Sequence, residues 1–123
     1  MPVASLGPVN EQTSARYTAT LTDETGAMVD GTALETATLT LKDVATGTVI
    51  NSRNAQNVKN ANGVTISALG ALVWAMAPAD NLIVGTQLIE EHMALFVFTW
   101  GGGGVKACRH PVSIKVLNLA EVT

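Results

Sequence analysis

Strict period-two alternation with threonine on one side is what most constrains this chain. In Arg16–Thr22, Tyr17, Ala19 and Leu21 point one way and Thr18, Thr20 and Thr22 the other. In Glu35–Lys42, Ala37, Leu39 and Leu41 alternate with Thr36, Thr38 and Thr40. Successive strand side chains face opposite sides, and β-branched threonine suits the wet face of a pleat, so both segments read as half-buried strands.

Turn chemistry places further strands around these two. Asp23-Glu24-Thr25-Gly26 closes the first strand. Asp43–Gly47 predicts a hairpin with a type I turn and a glycine bulge, returning through Thr48-Val49-Ile50. Residues 51–62 are polar and Asn-rich, and Asn62-Gly63 ends them with a turn signal. Val64–Ser67 and Ala71–Ala77 form a second hairpin, with Leu72, Trp74 and Met76 on one face. Pro78-Ala79-Asp80-Asn81 interrupts the pattern as a tight crossing turn with room for one helical turn. Glu90–Trp100 is apolar on both faces over Ala94–Phe98, which predicts the centre of a sheet. Gly101–Gly104 connects it to Val105–Leu119, where Val112, Ile114 and Val116 share a face.

About seven short strands with turns every 8–12 residues indicate an all-β, immunoglobulin-like antiparallel sandwich. At 123 residues the chain makes one domain, expected over 15–123. Residues 1–14 carry two prolines and no periodicity, and are expected to form an arm that is poorly ordered unless something holds it. Hydrophobic residues make up 47% and charged residues 14%, which excludes a disordered chain. A net charge of −3 with seven scattered basic residues argues against nucleic-acid or anionic-membrane partners. Cys108 is the single cysteine, so no internal disulfide forms. The start MPVASLGPVNEQTSAR lacks the basic and apolar regions of a signal peptide, and no apolar run approaches the ~20 residues of a membrane span.

Chemistry finds little footing. The candidate metal ligands are His92, His110, Cys108, Glu90 and Glu91. Pairing Trp100 with Val105 sets Cys108 opposite Val97 and His110 opposite Leu95. His92 then lies about 10 Å further along and on the other face. A one-residue slip would bring both histidines to one face. On this geometry no metal site is expected. Glu90 and Glu91 face opposite sides, so they make no catalytic carboxylate pair. No G-x-S-x-G motif surrounds any serine, and Cys108 reads as a small buried side chain. The four glycines lack the following helix, Lys and Ser/Thr of a phosphate loop, and read as a hairpin tip. Trp74 reads as core, its indole N–H on a carbonyl, and Trp100 as divided between core and contact. No enzyme and no cofactor are expected.

The pieces YTATLTDETG (Tyr17–Gly26), ATLTLKDVATGTVI (Ala37–Ile50), APADN (Ala77–Asn81), EEHMALFVFTW (Glu90–Trp100) and HPVSIKVLNL (His110–Leu119) resemble immunoglobulin-like domains of tailed-bacteriophage virions. Together they cover most of residues 16–119. The resemblance implies a capsid decoration or cement protein whose partner is a major capsid protein or another virion protein, with a dimer or trimer as a further possibility. A neck, tail or baseplate component and a host-surface or glycan-binding module are the alternatives. It also implies location in the virion after assembly in the host cytoplasm. Expected contact residues are Pro2, Val3, Leu6 and Pro8 of the arm. In the loop they are Asn51, Arg53, Asn54, Asn57, Lys59 and Asn60, and at the tip Trp100, Gly101, Gly102, Gly103 and Gly104. Asparagine offers donors and acceptors without the desolvation cost of charge. Removing residues 1–14 is expected to leave the domain folded and to weaken its attachment.

Overall fold

A computed structural model describes residues 4–119, so Pro2 and Val3 lie outside the described residues. Eight strands follow in chain order: β1 (Ala4–Asn10), β2 (Ala15–Thr20), β3 (Thr36–Asp43), β4 (Gln56–Asn57), β5 (Val64–Ile66), β6 (Ala71–Met76), β7 (Ile89–Trp100) and β8 (Lys106–Leu117). The chain is all-β, and its strands form two sheets. One runs β1-β8-β7-β3-β4 and the other β2-β6-β5. Two single 3-10 turns, Gly31–Ala33 and Pro78–Asn81, are the helical elements among the described residues.

The threonine alternation sorts the faces as expected. Ala37, Leu39 and Leu41 of β3 are fully buried, and Leu72, Trp74 and Met76 of β6 meet them from the other sheet. Trp74 packs edge-on against Phe96 of β7 with ring centres 5.4 Å apart, and Phe96 stacks beside Phe98 at 5.9 Å. Strand β7 is central, between β8 and β3. Its inward Ala94, Phe96 and Phe98 are buried, while its outward Met93, Leu95 and Val97 are half-buried. Leu95 faces out between Thr40 of β3 and Pro111 of β8.

Several expectations change in detail. Residues 4–10 are an edge strand, paired parallel to β8 from Ala4↔Val112 to Asn10↔Leu117, and this pairing is what holds the described part of the expected arm. The register shifts between Leu6 and Val9, where Gly7 takes φ +110° against the Lys115 backbone. The return strand expected at Thr48-Val49-Ile50 is reduced to one bridge, Lys42↔Val49. Asn51 and Ser52 both adopt left-handed φ where Arg53 turns inward; the Arg53 carbonyl accepts from the Leu41 N–H, and strand pairing with β3 resumes at β4. Gly47 takes φ +73° in the turn before that bridge. The β7–β8 hairpin pairs Trp100 with Lys106, one residue from the expected register. Cys108 therefore opposes Phe98 and His110 opposes Phe96, which sets both histidines on the core face. Trp74 is fully buried, but its Nε1 has no acceptor where a carbonyl was expected; the Arg53 guanidinium lies 5.8 Å from its ring instead.

Candidate functional site

The Asn-rich loop is anchored from beneath by an ion pair. Arg53 is 4% exposed and Asp80 fully buried. Arg53 Nε and Nη2 donate to the two Asp80 carboxylate oxygens at 2.5 and 3.1 Å, while Nη1 donates to Gln56 Oε1 and Nη2 also to the Asn62 carbonyl. Asp80 further accepts from Asn51 Nδ2 and from the Ala77 N–H of the 3-10 turn. The carboxylate is thus saturated, and the loop is tied to the crossing turn 27 residues away. Of the residues expected to make contacts here, Arg53 is the one the structure removes from the surface. Its charge is consumed internally.

The remaining loop residues do face solvent. Asn51, Asn54, Asn57, Lys59 and Asn60 are exposed. Some of their amides brace the backbone: Asn57 Oδ1 accepts from the Lys59 N–H, and Asn60 Oδ1 from the Ile66 N–H of β5. Beside the loop a cleft of about 280 Å³ is lined by Asn51, Arg53, Gln56, Asn62, Gly63, Ala75 and Ala77. The loop therefore offers amide groups on a braced backbone.

The glycine tip lies at the opposite strand end from the β7 residues Ile89 and Glu90. Gly101–Gly104 all take left-handed φ, from +71° to +90°, which an L side chain would resist. Glu35, just before β3, accepts from the backbone N–H groups of Gly102 and Gly104. Trp100 is half-buried and packs on the core at the base of the tip. Val105, 79% exposed, crowns it. In β1, Leu6 is half-buried against the core, and Pro8 is exposed. The described residues expected to make contacts thus fall in three places: the β1 edge, the braced loop and the tip.

Titratable side chains gather in two further places. Tyr17 Oη lies 2.6 Å from His110 Nε2, joining β2 to β8 across the sandwich. Burial pushes the Tyr17 hydroxyl and the nearby Cys108 thiol above their ordinary values and His110 below its own. A raised thiol value works against thiolate formation at Cys108. The second gathering is Asp43, Glu90 and His92, buried together with donor atoms within 4.8 Å of one another. Glu91 faces the opposite side of the sheet, as expected, where it accepts from Ser113 Oγ and pairs with Lys115. His92 and His110 share a face but remain four strand positions apart, about 13 Å.

Asp43 was missed in the sequence because it reads as the opening residue of a turn. Its Oδ2 does serve that turn, accepting from the Thr46 N–H and hydroxyl. The signal for its second role is the alternation of β3, which puts Asp43 on the face of Leu39 and Leu41. No protein-family model, curated protein or solved structure matches this chain.

Proposed function

We propose that this chain is a non-enzymatic structural protein of a tailed-phage virion, of the capsid decoration or cement kind. The observation that carries the reading is strand order. With β2 named B, the smaller sheet β2-β6-β5 becomes B-E-D and the run β8-β7-β3-β4 becomes G-F-C-C′. That order is similar to the one in immunoglobulin domains that carry a C′ strand, with β1 added beside G. The five pieces that resemble virion immunoglobulin-like domains lie mainly on β2, β3, β7 and β8 and the turns that follow or precede them.

The surfaces suit a lattice contact. The loop presents amides on a braced backbone, and the tip brings bare backbone to the molecular edge. Ordering such groups before association reduces the entropy lost on binding. A protein that binds the assembled shell and not its free subunits stabilises the shell by mass action, with no chemistry required. Its place is then the virion, assembled in the host cytoplasm, and its partner the major capsid protein.

Co-sedimentation tests this. Purified chain is mixed with phage shells lacking it, with isolated tails, and with intact host cells. Saturable pelleting with shells, accompanied by a higher disruption temperature of the shell, is the expected result. Pelleting with tails alone would move the protein to the neck or baseplate. Pelleting with cells alone would replace the proposal with a host-surface module.

A further inference from the structure

We propose that Asp43 and His92, with Glu90 behind the imidazole, form a buried structural site for one divalent transition-metal ion of the zinc class. Asp43 ends β3, His92 stands directly opposite it on β7, and Glu90 precedes His92 by two residues on the same face. Their donor atoms lie within 4.8 Å of one another. Ligands on one zinc ion, each about 2.0–2.2 Å from it, stand roughly 3–4 Å apart, which is the scale of this cluster.

Two orphan atoms mark the place. Asp43 Oδ1 and His92 Nδ1 are buried and have no hydrogen-bond partner. The other polar atom of each residue is held. Asp43 Oδ2 accepts from Thr46 at 3.0 and 2.6 Å, and His92 Nε2 lies 2.6 Å from Glu90 Oε1. Buried polar atoms are seldom left without partners, and here one is exposed to nothing on each of two opposed residues.

Charge leads to the same reading. The two carboxylates are 2% and 4% exposed. Among the described residues neither is paired with a lysine or arginine: Lys42 is exposed, and Lys115 reaches Glu91 on the outer face. Glu90 has His92 as its charge-type partner at 2.6 Å, and Asp43 has none among the described residues. Buried carboxylates are either paired or coordinated, and a cation supplies what Asp43 lacks. The surroundings resemble those of a metal-bound imidazole. Glu90, itself held by the Val84 and Gly85 N–H groups at 2.8 and 2.7 Å, faces Nε2 and leaves Nδ1 as the donor. Asp43 Oδ1 and His92 Nδ1 are then the direct ligands, with Glu90 orienting the ring. Imidazole and carboxylate donors without thiolate suit zinc and its first-row neighbours. Full burial of His92 closes the site to substrate, so the ion ties the 43–47 turn to β7 and the 82–88 loop.

Titration of the full chain with zinc or cobalt(II) alone, after dialysis against chelator, tests the site. One ion per chain and a raised Tm are expected, and metal at 100 times its Kd shifts the folded-to-unfolded ratio about 100-fold. Asp43→Asn and His92→Gln are expected to lose the ion. Cys108→Ser and Glu91→Gln are expected to keep it, which separates this site from adventitious binding at Cys108 and His110. Should the first two variants not fold, the wild-type titration decides. Absence of saturable 1:1 binding to the wild-type chain overturns the proposal. So does binding that Cys108→Ser abolishes and Asp43→Asn leaves intact.

Discussion

Arg53 and Asp80 show how one pair of residues can set the shape of a whole loop. Both are charged and buried, and every Asp80 contact comes from a different part of the loop or the crossing turn. Removing one partner leaves the other charge buried without compensation, a change that typically costs about 3–5 kcal/mol. Asp80→Asn should therefore lower the urea midpoint by a loss in that range, with the slope unchanged. Burial of His110 beside Tyr17 contributes pH dependence at the same scale. Burial holds the folded-state pKa of His110 below the ordinary 6.5, so the unfolded chain takes up the proton first. The stability contributed is present above pH 6.5 and drains away as pH falls through the depressed value. At the alkaline end the raised Cys108 and Tyr17 values reverse the sign, so stability declines as pH rises past 9 and then 10. Thermal melts from pH 5 to 11 should show both limbs. His110→Gln should flatten the acid limb above pH 5.

Among the elements, β1 departs most from its sequence reading. ASLGPVN shows no sustained alternation, and a Gly-Pro pair argues for a turn or arm. Its partner β8 lies 108 residues away and runs parallel, a pairing that no local pattern reports. Leu6 and Val9 nonetheless pack on the core beside Ile114 and Val116. Deleting residues 1–10 should therefore cost about 2–3 kcal/mol, from the partly buried Ala4, Leu6 and Val9 side chains, and should lower Tm. The proposed attachment is better probed by substituting Ser5, whose side chain is exposed on the paired strand. Gly7→Ala gives a finer test. A Cβ at φ +110° would stand 2.6 Å from the Lys115 carbonyl oxygen, so a loss of about 1–3 kcal/mol is expected by chemical denaturation. The short strand β4 escaped notice for a different reason. Its two residues extend the sheet only because the Asn51-Ser52 turn carries the chain back past β3.

At the scale of the molecule, both sheets share one core, with Trp74 of the smaller sheet against Phe96 of the larger. Neither sheet can keep its inner face dry without the other. Unfolding should then be a single cooperative transition, with tryptophan fluorescence and far-ultraviolet circular dichroism tracing the same denaturant curve. Two separated transitions would show that the sheets are independent units. What the amino-acid order determined alone was the local layer: threonine alternation, apolar β7 and turn residues specify strands, their inward faces and the two-layer class, because strand periodicity is written residue by residue. Tertiary structure decided what joins distant segments: the parallel edge strand, the one-residue register of the β7–β8 hairpin, the inward turn of Arg53, and the meeting of Asp43 with Glu90 and His92. Those outcomes depend on which long-range pairings bury the most apolar surface while leaving the fewest charges unpaired, and that competition is resolved only once the whole chain has closed around its core.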